Sequence, residues 1–341
     1  MNIAIVGATG MVGSKFIEVI QERGIKADNF YLYASKKSAG NIISLFNKDY
    51  EVIELCEQNI VDKHIDYALF SAGGSISKEF APIFARHGAT VIDNSSAWRT
   101  NENVPLVVPE VNPEDILWNH GIIANPNCST IQAVLPVKAL HNKYSIKRII
   151  YSTYQAVSGA GKKGYDDLKN GVNGLAPQKF PYPIFSNVLP HIDVFLENGY
   201  TKEEEKMIFE TKKILHDNNL KITATTVRVP VYNCHSESIN IEFNKEFELE
   251  DAVKTLSNFE NIVVMDNPEQ NIYPMPVVCD NRDEVFVGRI RRDFSVDSGL
   301  NLWVVADNIR KGAATNAVQI LEKILEYKEE GKVVGDGKVC F

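Results

Sequence analysis

Cys128 stands in the stretch Asn125-Pro126-Asn127-Cys128-Ser129-Thr130, between turn-forming residues and the apolar run IQAVLPVKAL. Pro126 does not fit a helix interior, and the run after Cys128 has helical spacing. The thiol therefore falls at, or within a turn of, a helix N-terminus. There the orphan N–H groups and the positive end of the helix dipole favour thiolate over thiol. The same N–H groups are placed to stabilise an oxyanion on an attacked carbonyl. The competing reading is a buried small hydrophobe, the commonest fate of a cysteine outside a disulfide.

A second chemistry-bearing pattern opens the chain. Gly7-Ala-Thr-Gly10-Met-Val-Gly13 follows an apolar strand and starts a helix. Glycines there let the backbone turn tightly and approach a pyrophosphate, which the helix N–H groups bind. The spacing is GxxGxxG rather than GxGxxG, and a strand–helix turn without ligand is the alternative. The next strand, NFYLYAS, ends without the carboxylate that holds a ribose 2'-hydroxyl in NAD sites. Ser35-Lys36-Lys37-Ser38 stand there instead. Hydroxyls and ammoniums suit the 2'-phosphate of NADP, although an ordinary solvated loop carries the same residues. Ser71 and Gly73, in SAGGSIS, either let backbone lie against the nicotinamide half or form a capped helix entry.

A thiol beside a nicotinamide points to one reaction class: thioester chemistry linking an aldehyde to an acyl phosphate. Near neutrality such chemistry needs a proton shuttle, and histidine is the natural one. Of the seven histidines, His235 lies in RVPVYNCHSESINIEF, at a turn between one strand that ends by Pro230 and the next. The others fall mostly in helices or polar turns.

The elements that must hold these groups change character along the chain. Up to about residue 127, short apolar runs (NIAIVGA, NFYLYAS, DYALFSAG, ATVIDNS, PLVVPEV, GIIANP) alternate with helical stretches near 11–22 and 76–87. That pattern implies an α/β unit on a Rossmann-like parallel sheet covered on both faces. After about residue 145 the strands IKRIIYSTYQAVSG, KITATTVRVPVY, HSESINIEF, EVFVGRIRRD and LNLWVVADN are longer and alternate better. They imply a second α+β domain on a mixed, largely antiparallel sheet, with a helix over 201–218 and an irregular, proline-rich excursion over 170–190. We expect a dinucleotide-binding domain over 1–127, a catalytic and dimerisation domain over 128–310, a returning helix near 311–328, and a tail over 329–341.

Composition narrows the partners. The 341 residues carry 36 basic and 44 acidic side chains, a formal charge of -8, which disfavours a nucleic-acid binder. Five scattered cysteines without a CxxC fit neither a disulfide framework nor a thiolate zinc site, so no metal is expected. No apolar run reaches membrane-spanning length, and the chain enters its first strand without a leader. A reducing cytoplasm is the expected compartment.

The ordered motifs GATGMVG, SSAWR, NPNCST, YQAVSGAG, EEEK, RVPVYNCHSE and DNIRKGAATNAVQ resemble the aspartate-semialdehyde dehydrogenase family from residue 3 to about 316. That resemblance implies NADPH-dependent reduction of 4-phospho-L-aspartate to L-aspartate 4-semialdehyde with release of phosphate, on the way to lysine, methionine, threonine, isoleucine and diaminopimelate. It implies a homodimer, or a tetramer. Carried onto this chain, it makes Cys128 the nucleophile, His235 the acid/base and Gln155 the residue that orients the intermediate. Arg228 would take the substrate α-carboxylate, Glu203 its ammonium, and Arg99, Asn127 and Lys206 the phosphate. Gly7, Thr9, Gly10, Met11, Val12, Gly13, Ser35, Lys37, Ser38, Ser71, Gly73, Ser158, Gly159 and Asn308 would face NADP. Two positions depart from many relatives: Lys37 replaces an arginine, and Cys234 a small residue such as glycine. An N-acetyl-glutamyl-phosphate reductase is the chemical alternative, and a dinucleotide-binding protein without catalysis is the alternative from another class.

Overall fold

Runs that are apolar at nearly every position become strands buried on both faces, and the amphipathic segments between them become the covering helices. In the computed structural model, which describes residues 1–335, the chain divides into two units. One comprises Met1–Pro126 with the segment from Ala313 onward, and the other Asn127–Gly312.

The first unit runs β1 (Asn2–Val6), α1 (Met11–Glu22), β2 (Asn29–Ala34), β3 (Ile42–Leu45), β4 (Lys48–Glu54), α2 (Glu57–Val61), β5 (Tyr67–Phe70), α3 (Gly74–Arg86), β6 (Thr90–Asp93) and β7 (Ile122–Ala124). The sheet order is β3-β4-β2-β1-β5-β6-β7, parallel throughout except where β3 turns back on β4. This is a Rossmann-like sheet. Two details differ from the sequence expectation. The β3–β4 hairpin is not among the expected strands, and most of its residues are exposed or half-exposed. Conversely, Pro105–Val111 (PLVVPEV) is not a strand, because the prolines remove N–H groups from any ladder. It makes a single bridge, Leu106 to Ala124.

The second unit contains α4 (Cys128–Tyr144), β8 (Ile146–Gln155), α5 (Gly161–Gly171), α6 (Lys202–Leu215), β9 (Lys221–Arg228), β10 (His235–Phe243), α7 (Leu249–Ser257), β11 (Ile262–Val264), α8 (Pro276–Cys279), β12 (Val285–Asp293) and β13 (Gly299–Ala306). Its order is β11-β12-β13-β10-β8-β9, with antiparallel pairs in the middle and a parallel pair at each edge. The sheet brings the ends of β8 and β9 and the start of β10 to one side, since Gln155 pairs with Arg228 and Ser236 with Tyr154.

After β13 a π-helical turn, Arg310–Ala314, leads into α9 (Thr315–Glu329). Val318, Leu321 and Ile324 of α9 share the core of the first unit with Phe16, Ile20, Leu32 and Leu69. The expected tail over 329–341 lies partly outside the described residues. No described helix is long and apolar enough to cross a membrane.

Candidate active site

The helix that carries the thiol starts where its cap dictates. Asn127 is extended (φ -61, ψ 144), and its Oδ1 accepts from the backbone N–H of Ser129 at 2.9 Å and, more weakly, of Thr130 at 3.4 Å. Cys128 is the first helical residue and is half-buried. Two of the N–H groups at the helix start, those of Ser129 and Thr130, are therefore already taken by Asn127.

Asn127 is itself held from α6 at both ends. Its Nδ2 donates to Glu203 Oε1 at 2.9 Å, and its backbone N–H to Glu210 Oε2 at 2.6 Å. Glu203 and Glu210 are two helical turns apart, so one face of α6 grips the cap of α4. On the other side, a Cβ built on Gly312 would lie 2.9 Å from the Cys128 Cβ. Only glycine lets the π-turn pass this close.

Glu203 gathers the polar side chains. Gln155, the last residue of β8, donates to its Oε1 at 3.3 Å and to Thr153 Oγ1 at 3.2 Å. Lys206 Nζ reaches its Oε2 at 3.0 Å and Asp193 Oδ2 at 2.8 Å. Burial alone would push the Glu203 carboxyl up. The Lys206 charge, the bonds from Asn127 and Lys206, and Arg228 outweigh it and hold Glu203 below its ordinary value. Burial likewise works against the Lys206 ammonium, but Glu203 and Asp193 hold it above its usual value. Lys206, expected as a phosphate ligand, thus sits bracketed by two carboxylates.

Arg228 and His235 are aligned by one residue. The Ala156 carbonyl accepts from Arg228 Nη1 at 2.6 Å, and the Ala156 N–H donates to His235 Nδ1 at 3.0 Å. With Nδ1 accepting, the neutral ring carries its proton on Nε2. That atom is buried and has no partner among the described residues. Burial, and secondarily the Arg228 charge, push the imidazole well below its ordinary value, so it stays neutral. Burial pushes the Arg228 guanidinium below its ordinary value, and Glu203 and, less strongly, Cys128 oppose it without offsetting it. A Cβ on Gly159 would lie 2.9 Å from Arg228 Nη1 and 3.1 Å from His235 Nε2, so Gly159 keeps the space in front of both. The turn before His235 is made by Cys234 at φ 67, a conformation that glycine adopts without cost. Asn308 fastens it, with Oδ1 accepting from the Cys234 N–H at 3.0 Å and Nδ2 donating to Ser158 Oγ at 3.0 Å.

The structure therefore gathers Asn127, Cys128, Gln155, Ser158, Gly159, Glu203, Lys206, Arg228, His235 and Asn308 in the second unit. The remaining expected residues belong to the first. Arg99 is buried there, donating from Nε to the Asn125 carbonyl at 2.9 Å and from Nη2 to that of Asn94 at 3.0 Å. Gly7 has φ 86, and a Cβ on it would strike the Ser71 carbonyl at 2.3 Å. A Cβ on Gly13 would strike the Gly7 carbonyl at 2.0 Å. Helix α1 begins at Met11 with Gly10 as its cap, no side-chain cap bond and no acidic residue in its first turn. An N-terminus so bare suits an anion such as a pyrophosphate. Thr9, Ser35 and Lys37 are exposed, Met11, Val12, Ser38 and Ser71 half-buried, and Gly73 has φ 89. The sequence reading missed Glu210, Gly312 and Asp193. Only Glu210 carried a signal, recurring seven residues after Glu203 on one helix.

Two family descriptions match the chain: a semialdehyde dehydrogenase NAD binding domain over residues 2–118 and a semialdehyde dehydrogenase dimerisation domain over 137–311. Together with the Rossmann-like sheet, they define the class as a nicotinamide-dependent semialdehyde dehydrogenase. The chain is 56% identical to the aspartate-semialdehyde dehydrogenase of Aquifex aeolicus, over 95% of this chain and 98% of that protein. Among solved structures, aspartate semialdehyde dehydrogenase II of Vibrio cholerae complexed with ASA matches with a TM-score of 0.90 at 43% identity, covering 95% of this chain and 98% of that one. The Candida albicans aspartate semialdehyde dehydrogenase with NADP matches with a TM-score of 0.74 at 26% identity, over 96% and 99%. This chain belongs to the aspartate-semialdehyde dehydrogenase family, a family of oxidoreductases in amino-acid biosynthesis.

Proposed function

We propose that the protein reduces 4-phospho-L-aspartate to L-aspartate 4-semialdehyde with NADPH, through a thioester on Cys128. The observation that carries this is an arginine and a neutral imidazole that meet at Gly159, with the capped helix-start thiol of Cys128 near enough to act on that arginine. Cys128 sulfur attacks the C4 carbonyl, a C–S bond forms, the C–O bond to phosphorus breaks, and phosphate leaves. NADPH, when bound, supplies the hydride that takes the acyl carbon to the aldehyde level. His235 presents Nε2–H, so it meets the hemithioacetal oxygen as a donor, the acid half of an acid/base role. When the C–S bond breaks, the hemithioacetal oxygen gives its proton back to His235, the aldehyde C=O forms, and the electron pair returns to sulfur as thiolate.

Arg228 takes the α-carboxylate, for which a planar fork is better suited than a lysine. Glu203 offers its carboxylate to the ammonium, and Gln155, anchored on that carboxylate, orients the acyl group. Asn127 and Lys206 are phosphate ligands. The resemblance alone supports Arg99 as a further one, and supports contact of Ser158, Gly159 and Asn308 with the cofactor. The residues Gly7, Gly10 and Gly13 at the bare start of α1 would hold the pyrophosphate, and Ser35, Lys37 and Ser38 the 2'-phosphate. The Candida relative with NADP favours that cofactor, and the dimerisation-domain match favours a homodimer.

The test is the initial rate of NADP reduction with L-aspartate 4-semialdehyde plus phosphate, repeated with NAD and with N-acetylglutamate semialdehyde. Phosphate-dependent turnover of the four-carbon substrate is expected. Preference for the acetylated five-carbon substrate overturns the reading.

A further inference from the structure

Glu237 lies two residues beyond His235 on β10 and therefore faces the same side of the strand. It is fully buried, and neither carboxyl oxygen has a hydrogen-bond partner among the described residues. Gln132 sits one turn along α4 from Cys128, is also fully buried, and is within hydrogen-bonding reach of the Glu237 carboxyl. Its Nε2 donates to the His235 carbonyl at 3.3 Å, while its Oε1 has no donor. The cluster thus holds three acceptor oxygens, two on Glu237 and one on Gln132, without a close partner, and among the described residues the Gln132 amide is the one donor turned toward the carboxyl.

An ionised carboxylate in that setting would be a buried charge without a counter-charge, which proteins avoid by protonation. The surroundings argue the same way. Thr153 of β8 and Val304 of β13 flank Glu237 in register, and Tyr151 of β8, fully buried, directs its hydroxyl to Thr211 Oγ1 at 3.3 Å. Burial pushes the carboxyl well above its ordinary value; the hydrogen bond from Gln132 opposes this without offsetting it, and the negative charge of Glu203 adds to it. His235 next along the strand is neutral.

We propose that Glu237 is a neutral carboxylic acid whose O–H donates to Gln132 Oε1, and that this bridge between β10 and α4 positions His235 against Cys128. One proton satisfies the Gln132 oxygen, and the amide then spans from Glu237 to the His235 carbonyl. Glu237 is a positioning residue that acts through its neighbours. The positioning half rests on the roles given above to Cys128 and His235; the protonation half does not.

The two halves separate in one set of measurements on the full-length protein. The infrared difference between wild type and Glu237→Gln, in deuterated buffer near pH 8, should show loss of a carboxylic-acid C=O band. Loss of a carboxylate band instead overturns the protonation. In the phosphate-dependent assay, Glu237→Gln, whose amide still donates to Gln132, should keep kcat within about threefold with an unmoved pH profile. Glu237→Leu should lower kcat about tenfold or more at little change in KM. Equal losses in both variants, or wild-type turnover in the leucine variant, overturn the positioning. Should Glu237→Leu fail to fold, the infrared band and the pH profile of Glu237→Gln still decide. A wild-type protein inactive on every semialdehyde would sink the proposed reaction while leaving the infrared result to judge Glu237.

Discussion

Replacing Gly159 with alanine tests the active-site geometry with a single methyl group. The added Cβ would stand 2.9 Å from Arg228 Nη1, 3.0 Å from His235 Cε1 and 3.1 Å from His235 Nε2. Ordinary contact begins near 3.4 Å, so each neighbour has to retreat by roughly 0.3 to 0.5 Å. Neither retreats easily, because Arg228 and His235 are both tied to Ala156, at 2.6 and 3.0 Å. Small-to-large changes in packed sites cost about 1–3 kcal/mol. If that strain falls on the reacting geometry, kcat/KM drops about 5- to 150-fold. The backbone at 159 is not left-handed, so alanine adds no backbone strain to that cost. The assay is NADP reduction with L-aspartate 4-semialdehyde and phosphate, resolved into kcat and KM. Displacement of Arg228 should raise KM for the semialdehyde, and displacement of His235 should lower kcat. A variant within twofold of wild type in both constants would falsify the placement of these two side chains at the reacting centre.

Cys128→Ser should abolish turnover, whereas Cys234→Ser should keep most of it, since Cys234 is fully buried and burial pushes its thiol far above the ordinary range; steady-state rates with the opposite ranking refute the assignment. Asp193→Asn removes one of the two carboxylates that bracket Lys206, and should lower KM for phosphate about two- to fivefold without raising kcat. His235 contributes a pH dependence of known sign. Its folded pKa lies well below the ordinary 6.5, so below pH 6.5 the unfolded chain binds a proton that the folded one does not. Stability on this account is lost as the pH drops below 6.5, by at most about 1.4 kcal/mol per unit. Glu237, raised from 4.5, gives the opposite slope above its ordinary value. The His235 share is therefore read as the difference between wild type and His235→Asn in urea melts from pH 7 to 5. Equal slopes in the two proteins would remove it.

How far the sequence discloses these arrangements depends on whether the deciding forces are local. Strands β1, β5 and β6 are legible because both faces are buried and nearly every position is apolar. Strands β3 and β4 are not, since most of their residues are exposed or half-exposed and their pairing is fixed by the neighbouring β2. At the site, the turns before Cys128 and His235 are legible from Pro126 and Pro230, whereas the left-handed backbone of Cys234 is not. The glutamates of α6 are another matter. Thr201-Lys202-Glu203-Glu204-Glu205-Lys206 reads as a capped, solvated helix start, and Thr201 and Glu204 do form the capping box. Yet Glu203, Met207, Glu210, Thr211 and Ile214 make one inward stripe at helical spacing. A carboxylate on such a stripe must find donors inside the protein. Both glutamates find them on Asn127, one on its side chain and one on its backbone. The stripe is written in the sequence, but the residue it serves lies more than seventy positions away and is known only once α6 packs against α4. The position of the thiol is thus set by carboxylates on a neighbouring helix, which is why a motif centred on Cys128 alone understates what holds it.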